Sequence, residues 1–395
     1  MRFIFADCVL DTGTQTLTRA GLLVRVEPQV FDLLHLLASS AGSLVTRDQI
    51  VDGVWKGRIV SDSAISARIA AARKAVGDDG KAQRVIQTVS RRGLRFAAEI
   101  AENGPSAEQV VRDAKRDDRP KLRYTHAADG TVLAYTVTGS GPPLLYVDCF
   151  PSDTLGAWDE PSERPLIDAL NACFTLIRYD QRGCGMSERD VDILDLQKVA
   201  DDVRAVADAA GFDRLAVHAH SGACLTAITF ASNHPERVSR LVLVGGYAQG
   251  RLRRGEHTKT ENEVFRTMLT EGWDKPGGAF IAAMMAAYMP EGPSDVVQAC
   301  AAFMQKNTTT KNQLLDRDMI NNADVGNHLP KITAPALIIN ARYDPVHPLA
   351  QGQKLASGIP DAELLVYDTA NHIPIPGHRL WDRYVEDILS FLNDA

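Results

Sequence analysis

The sequence predicts two domains: a small α+β domain of three helices and a β-hairpin, and a larger α/β domain built on a parallel sheet. The 395 residues are enough for two cores. Helical apolar spacing runs through residues 30–76, whereas short apolar runs alternate with helical segments after residue 140. Residues 1–100 carry 14 Lys and Arg against 10 Asp and Glu, and the remainder carries 29 against 40. A basic N-terminal domain followed by an acidic remainder indicates that nucleic acid is contacted through the N-terminal domain alone.

Composition narrows the class of protein further. The six cysteines are scattered without the paired spacing of a disulfide framework or a zinc site, so we expect a reducing compartment, no metal and no cofactor. The first residues are too few and too polar for a signal peptide. No stretch approaches the ~20 apolar residues of a membrane span. We therefore expect a cytoplasmic protein without a membrane partner.

The N-terminal elements follow from apolar spacing and capping residues. Residues 2–25 hold short apolar runs separated by turn residues, which predicts small strands. Gly42 ends a first helix, and Thr46 caps a second helix over residues 47–55. The first helix is predicted by apolar residues at i, i+3, i+4 and i+7: Val30, Leu33, Leu34 and Leu37.

A third helix and a hairpin complete this domain. Ser61 or Asp62 caps the helix, which runs to Val76. Two apolar stretches follow, 85–89 and 94–97, joined by a basic tip. Three helices and a basic hairpin together predict a winged helix-turn-helix.

Five motifs in order carry a family resemblance: VTRDQI at 45–50, GVW at 53–55, SDSAISARI at 61–69, ARKAV at 72–76 and IQTVSRRGLRF at 86–96. They resemble the effector domain of OmpR-type response regulators, and the resemblance covers essentially all of residues 1–98. It implies that the third helix enters the major groove of double-stranded DNA while the hairpin, or wing, reaches the adjacent minor groove.

The third helix offers few side chains that could read bases. Its core face is predicted to hold Ile65, Ile69, Ala72 and Val76, and its opposite face is mostly small residues, with arginines on the flanks. We expect mainly phosphate contacts, and modest specificity per monomer predicts a homodimer on paired half-sites. The alternative for each arginine is that it lies on a solvent-exposed face and does not contact DNA. The candidate DNA-binding residues are Ser63, Arg68, Arg73, Lys74, Thr88, Arg91 and Arg92.

Polar and charged residues separate the two predicted domains. The boundaries are 1–100 for the DNA-binding domain, 101–120 for a linker and 121–395 for the second domain. No phosphoacceptor domain precedes the winged helix in this sequence, so we expect the switch that controls it to lie downstream.

The second domain alternates buried strands with helices, which predicts a doubly wound parallel sheet. The strand-like runs are 144–147, 175–179, 215–217, 241–244 and 336–339. Residues from about 249 to 329 break the alternation, being helical and carrying six methionines, and predict a lid inserted into the sheet. We expect the methionines to pack inside the lid. The alternative is that they line an apolar pocket beneath it.

Ser221 lies between a buried strand and the predicted helix 225–231, in the strand-to-helix turn typical of a nucleophile. The usual motif is G-x-S-x-G; here Ala219 and Ala223 replace the glycines and are still small enough for a tight turn. Cys224 has no basic neighbour in sequence, which favours a packing role.

Two further candidates follow strands downstream. Asp344 comes after the strand at 336–340 and His372 after the strand at 364–367. Catalytic groups converge at the carboxyl ends of strands in open α/β sheets. Asp368 is an alternative to Asp344. His347 and His378 are alternatives to His372, although one follows Asp344 too closely and the other lies beyond two prolines.

The order Ser, Asp, His and the turn D-x-R-G-x-G-x-S at 180–187 resemble α/β hydrolases over about residues 122–394. The resemblance implies that Ser221 is the nucleophile, His372 the base and Asp344 the group that orients it. It also implies that the oxyanion donors are the backbone amides of Gly222 and Phe150.

The chain departs from the family where most relatives carry His-Gly, since Asp148 and Cys149 stand there. A carboxylate at this point would repel a developing oxyanion or bind a ligand group itself. We include Asp148, Cys149 and His220 as candidate ligand-pocket residues.

The fold class is therefore a winged helix-turn-helix (α+β) followed by an α/β-hydrolase fold with a helical lid. Two functions fit it. The first is a transcriptional regulator whose second domain senses, and slowly hydrolyses, a small apolar or ester-like molecule. The alternative is an active esterase or C–C/C–X hydrolase with an appended DNA-binding head.

Overall fold

The computed structural model describes residues 2–13, 15–19, 22–24, 26–56, 60–78, 80–89, 92–98, 100, 119–255, 259–275 and 278–394. The chain divides into two compact units, residues 1–118 and 119–395. Almost all of the predicted linker 101–120 falls outside the described residues. Within the described part, no helix combines the length and the apolarity needed to cross a membrane.

The described part of the N-terminal unit combines two antiparallel sheets with three helices. The first sheet is a meander of β1 (Arg2–Phe5), β2 (Cys8–Asp11), β3 (Thr16–Arg19) and β4 (Leu22–Val24). The helices are α1 (Pro28–Ser39), α2 (Arg47–Trp55) and α3 (Asp62–Ala75). The second sheet, in the order β5-β7-β6, consists of β5 (Leu44–Thr46), β6 (Ile86–Val89) and β7 (Gly93–Phe96).

Side-chain caps account for the starts of α2 and α3. Thr46 Oγ1 accepts from the Gln49 backbone N–H (3.3 Å) while Gln49 Oε1 accepts from that of Thr46 (2.8 Å), a reciprocal capping box. Ser61, rather than Asp62, caps α3, because its Oγ accepts from the Ala64 N–H at 3.3 Å. The predicted core face of α3 is confirmed, with Ile65 and Ala72 buried among residues of α1 and the strands.

Two polar groups hold α3 and the wing together. The buried Asp78 carboxylate accepts from the backbone N–H groups of Arg84, Val85 and Ile86, each at 2.9 Å, and so fixes the chain as it enters β6. Arg73 on α3 donates to the Ile86 carbonyl (2.9 Å) and to Thr88 Oγ1 (2.8 Å). The helix and the wing are thus joined by hydrogen bonds as well as by packing.

The second unit is built on a mixed eight-stranded sheet in the order β15-β14-β13-β12-β10-β11-β9-β8. Its strands are β8 (Arg123–His126), β9 (Val132–Gly139), β10 (Pro143–Val147), β11 (Thr175–Tyr179), β12 (Leu215–His220), β13 (Val238–Val244), β14 (Ala336–Ala341) and β15 (Ala362–Tyr367). The six strands from β10 to β15 are mutually parallel. The strand β9 runs antiparallel to both of its neighbours, β8 and β11. A short turn joins β8 to β9, and such a connection produces an antiparallel pair.

Helices cover both faces of this sheet: α4 (Arg164–Asn171), α5 (Leu196–Ala210), α6 (Ala223–Asn233), α11 (Leu349–Gly358) and α12 (Trp381–Asn393). Side chains alternate along each strand. In β10, Leu145 and Val147 pack with α5 and α6, whereas Leu144 and Tyr146 pack with α4 and α12. Burial on both faces explains why these strands read as continuous apolar runs.

The predicted lid is helical, as expected. Between β13 and β14 the chain forms α7 (Lys259–Gly272), α8 (Ala279–Tyr288), α9 (Ser294–Asn307) and α10 (Thr310–Asn322). These helices share a small core of their own around the fully buried Trp273. The lid is therefore a packed substructure and not a loose loop.

Gly93 at the tip of the wing is expected to be irreplaceable. Its φ is +145°, and a Cβ would lie 2.1 Å from the Val45 carbonyl oxygen, so Gly93→Ala adds a clash to backbone strain. Gly42→Ala is the matched control, because Gly42 has a φ of +75° with nothing within 4 Å of a Cβ. Hydrogen exchange of the full chain should show amides 86–96 exchanging at least about tenfold faster in Gly93→Ala. Equal exchange in the two variants would contradict this packing.

Candidate active site and nucleic-acid-binding surface

Ser221 occupies the tight turn between β12 and α6. Its φ is +52°, an uncommon value for a residue other than glycine, and its backbone N–H donates to the Val244 carbonyl at 2.8 Å. Ala219 and Ala223 on either side are almost completely buried, so larger side chains there would collide with the sheet. Backbone strain of this kind costs about 1–3 kcal/mol and is found where it serves a site.

The structure brings the three predicted catalytic side chains into one hydrogen-bonded chain. Ser221 Oγ lies 2.9 Å from His372 Nε2, and His372 Nδ1 lies 2.7 Å from Asp344 Oδ2. Asp344 Oδ1 also accepts from two backbone N–H groups in the following turn. A carboxylate in that position holds the imidazole with Nδ1 protonated, which leaves Nε2 as the acceptor for the serine proton.

The alternative candidates for the acid and the base do not take part in these hydrogen bonds. Asp368 is exposed beside Arg342, at 3.8 Å. His378 contacts Thr369 and Glu291. His347 is close by, but its ring stacks on Tyr247.

Two residues that the sequence did not single out position His372. Gly245 has a φ of +58°, and a Cβ there would lie 2.8 Å from His372 Cε1, so a side chain would displace the imidazole. From the lid, the Tyr288 carbonyl accepts the His372 backbone N–H at 2.9 Å. The lid is thereby joined directly to the candidate base. Neither contact has a signature in one sequence, because both depend on how distant segments meet.

Asp148 is paired with a buried arginine rather than facing the cavity as an isolated charge. Arg178 in β11 donates to Asp148 Oδ2 at 2.5 Å, and its guanidinium lies over the Tyr146 ring at 5.4 Å. The expected repulsion between Asp148 and an oxyanion is therefore offset by a neighbouring positive charge. A charged residue in an otherwise apolar strand was the signal for this partner.

His220 and Cys149 form the wall next to Asp148. His220 Nδ1 lies 3.1 Å from the Tyr146 hydroxyl, and His220 Nε2 lies 3.1 Å from Cys149 Sγ. Burial lowers the pKa of His220, although Asp148 opposes the shift, so its imidazole is neutral. Burial and the Asp148 charge both raise the pKa of Cys149, so its thiol stays protonated and is a poor nucleophile.

The spacing of this wall also resembles a metal site, since the ligand atoms of Asp148, Cys149 and His220 lie within 4.8 Å of one another. The chemistry fits a cation poorly. Arg178 already occupies one Asp148 oxygen and would repel a positive ion.

The D-x-R-G-x-G-x-S turn supports the loop that carries Phe150. The Asp180 carboxylate accepts from the backbone N–H groups of Thr154 (2.6 Å) and Met186 (2.7 Å). Arg182 in the same turn pairs with Asp202 at 2.6 Å. The motif thus has a structural role: it holds this loop in place, and none of these contacts involves Ser221.

A lidded cavity contains the candidate nucleophile and both candidate oxyanion donors. It is lined by Ser221, Gly222 and Phe150, together with Asp148, Cys149 and His220. Five of the six lid methionines line it as well: Met284, Met285, Met289, Met304 and Met319. Met268 is instead about half exposed. The methionines thus serve the pocket as well as packing, which favours an apolar body for the ligand.

The predicted DNA-binding residues fall into two groups. Ser63, Lys74 and Arg92 are exposed on α3 and the wing. The others make contacts within the unit: Arg68 pairs with Glu27 at 2.8 Å, and Arg73 donates to Thr88. Arg91 lies outside the described residues. Each DNA contact remains a prediction, and Arg68 and Arg73 would have to share or exchange their partners to reach a phosphate.

Family models match both units. Residues 142–378 match the family described as "alpha/beta hydrolase fold", and residues 21–96 match "Transcriptional regulatory protein, C terminal". Among curated proteins, "Putative carbamate hydrolase RutD" of Azorhizobium caulinodans is 30% identical over 257 residues, which is 64% of this chain and 91% of that protein. A protein of the same name from Shigella flexneri is 28% identical over 215 residues, 53% of this chain and 78% of its own.

Solved structures agree on the fold of the second unit. An enol-lactonase from Burkholderia xenovorans LB400 superposes with a TM-score of 0.57 at 22% identity, covering 69% of this chain and all of that one. An esterase from Exiguobacterium antarcticum superposes with a TM-score of 0.59 at 20% identity and the same coverage. The chain therefore belongs to the alpha/beta hydrolase family and carries an OmpR-type DNA-binding domain ahead of its hydrolase-fold domain.

Proposed function

We propose that the protein is a DNA-binding transcriptional regulator whose hydrolase-fold unit binds a small acyl compound and hydrolyses it slowly at Ser221. The observation that carries this proposal is the hydrogen-bonded chain from Ser221 through His372 to Asp344, which opens onto a lidded cavity. The protein also contains a DNA-binding domain. A metabolic hydrolase has no need of such a domain, and a pure DNA-binding protein has no need of an aligned serine and imidazole.

The proposed reaction is acyl transfer to serine followed by hydrolysis. Ser221 Oγ attacks the carbonyl carbon while His372 Nε2 takes its proton, and His372 then gives that proton to the leaving group. Asp344 stabilises the transient imidazolium. A water molecule, deprotonated by His372, releases the acid and restores the serine. The backbone amides of Gly222 and Phe150 are the proposed oxyanion donors.

The relatives support the substrate class. The curated relatives are named as carbamate hydrolases, and solved neighbours are named as an enol-lactonase and esterases. Carbamates, lactones and esters all present an electrophilic carbonyl carbon to a nucleophile. An acyl compound with an apolar body suits both this chemistry and the methionine-lined cavity.

Regulation requires that the ligand favour one conformation or association state of the protein. The lid is the proposed responsive element, because the Tyr288 carbonyl bonds to His372 and five lid methionines line the cavity. A ligand that moves the lid would therefore also move the candidate base.

We propose that the regulator acts as a homodimer, since one α3 helix offers few groups that read bases.

An active hydrolase with an appended DNA-binding head is the second candidate. The Asp148–Arg178 pair favours it, because the paired carboxylate no longer opposes an oxyanion at full strength. Turnover separates the two candidates: a kcat within the ordinary enzyme range of about 1–1,000 per second on a simple ester would favour the hydrolase.

Ser221 should react with a fluorophosphonate probe. We expect intact-mass spectrometry to find one adduct per wild-type chain and none in Ser221→Ala, because the aligned His372 activates this hydroxyl. Cys149→Ala is the matched control and should keep the adduct, since the neighbouring thiol is protonated. An adduct that persists in Ser221→Ala, or no adduct in folded wild-type protein, would refute the nucleophile assignment.

Lys74 and Arg92 should contribute to DNA affinity through phosphate contacts. We expect Lys74→Ala and Arg92→Ala each to weaken binding on all sequences and to reduce the slope of log Kd against log salt by about 1. Arg342→Ala, an exposed arginine of the hydrolase-fold unit, is the control and should change neither. Fluorescence anisotropy across a salt series provides the measurement. An unchanged slope in both variants would place the DNA contacts elsewhere.

A further inference from the structure

One buried arginine of the cavity lacks a carboxylate partner. Arg178 and Arg182, also buried, each lie within 2.8 Å of an aspartate oxygen. Arg317 is 8% exposed and lines the cavity, yet no carboxylate oxygen of the described residues lies within 4.0 Å of its guanidinium. Its Nε has no hydrogen-bond partner among the described residues, and its guanidinium lies over the Phe265 ring at 4.9 Å. A buried charge without a countercharge is unfavourable, so the position of Arg317 inside a ligand cavity favours an anionic ligand.

A second polar group lies beside it. The Tyr288 hydroxyl is buried, lines the same cavity and interacts with Arg317, but it has no hydrogen-bond partner of good geometry among the described residues. Burial alone would raise the pKa of Tyr288, but the charges of Arg317 and Arg251 outweigh burial and lower it. The two guanidinium groups therefore favour negative charge at this hydroxyl. A guanidinium and a phenol together offer N–H and O–H donors suited to a carboxylate.

The acidic groups of the cavity do not cancel this field. Asp316 adjoins Arg317, and burial raises the pKa of Asp316 to about 7 even against that charge, so much of it is protonated at neutral pH. Burial also raises the pKa of Glu163, and Asp148 is already held by Arg178. A further positive charge, Arg254, lies 3.1 Å from His347, which lines the cavity.

Helix geometry relates Arg317 to the candidate reaction centre. Gln313, Arg317 and Ile320 are spaced i, i+4 and i+7 on α10 and all line the cavity. Ile320 Cγ2 would lie 3.6 Å from a Cβ at Gly222, so this face of α10 covers the proposed oxyanion donor. Arg317 is three residues away, roughly 4.5 Å along the helix axis. A group bound at Arg317 is therefore a short spacer away from a carbonyl at Ser221.

We propose that the ligand is an acyl compound with a carboxylate, which Arg317 and Tyr288 bind while the carbonyl to be attacked lies at Ser221. The proposal rests on the function proposed above for Ser221 and specifies its substrate class. The proposal narrows the small apolar or ester-like ligand expected from the sequence to an amphiphilic one, whose hydrocarbon part contacts the methionines and whose carboxylate contacts the guanidinium.

Two esters of matched length test the substrate class. Mono-4-nitrophenyl glutarate ends in a carboxylate, whereas 4-nitrophenyl valerate ends in a methyl group. We expect wild-type kcat/KM to favour the glutarate ester about tenfold or more, Arg317→Met to lose that preference, and Arg317→Lys to retain part of it. Tyr288→Phe should reduce the preference through KM. Because each ratio is measured within one variant, partial misfolding does not affect it.

Lys311→Met is the matched control on the same helix, since Lys311 is exposed and pairs with Asp192 at 3.2 Å. It should keep the wild-type ratio. An unchanged ratio in Arg317→Met, an equal loss in Lys311→Met, or a wild-type preference for the valerate ester would overturn the anion site.

Binding to Ser221→Ala separates this proposal from the nucleophile assignment. By calorimetry, monomethyl glutarate should bind Ser221→Ala more tightly than methyl valerate, and the difference should vanish in Ser221→Ala/Arg317→Met. If wild-type protein hydrolyses neither ester while this difference is seen, the anion site stands and the nucleophile assignment fails. If Ser221→Ala binds the two compounds equally or binds neither, the anion site is refuted whatever the ester rates.

Discussion

The turn that holds Ser221 at a φ of +52° is a constraint on which the geometry around it depends. A serine in this conformation places its Oγ beyond the end of the sheet, where a histidine from a later loop can reach it at 2.9 Å. The turn tolerates only small neighbours, and Ala219 and Ala223 meet that demand. Gly245 leaves space for the imidazole in the same way. The strain is sustained because the flanking strand is buried along its whole length and the flanking helix at every residue but its last.

Charge is distributed around this turn in two different ways. The pairs Asp148–Arg178 and Arg182–Asp202 are buried, with N–O distances of 2.5 and 2.6 Å, although Nε and Nη1 of Arg178 have no further partner among the described residues. Such pairs add little net stability but hold loops in one arrangement, since breaking either would leave a buried charge. Arg317 is the contrasting case, a buried cation that lines the cavity with no carboxylate within 4.0 Å among the residues that the structure describes. The first arrangement holds the loops of the site in place, and the second suits the cavity to an anionic ligand.

The sequence predicted what is local and periodic. The starts of α2 and α3 followed from Thr46 and Ser61, and the strand-to-helix turn at Ser221 followed from buried runs beside small residues. The five apolar runs predicted to form a parallel sheet do so, and a strand-turn-strand hairpin, β8 and β9, precedes them. Contacts between distant segments were not predictable: Arg178 with Asp148, Tyr288 with His372, and Arg73 with the wing. One sequence records each residue of such a pair but not their proximity.

The central claim is that chemistry at Ser221 is coupled to DNA binding, and one comparison tests it directly. The full-length protein would select a site from a random-sequence DNA pool, and its Kd for that site would be measured before and after fluorophosphonate modification. Ser221→Ala treated identically is the control. The account predicts a change in Kd of about fivefold or more in the modified wild type and none in the control. The same Kd and the same stoichiometry for modified and unmodified wild type would contradict it.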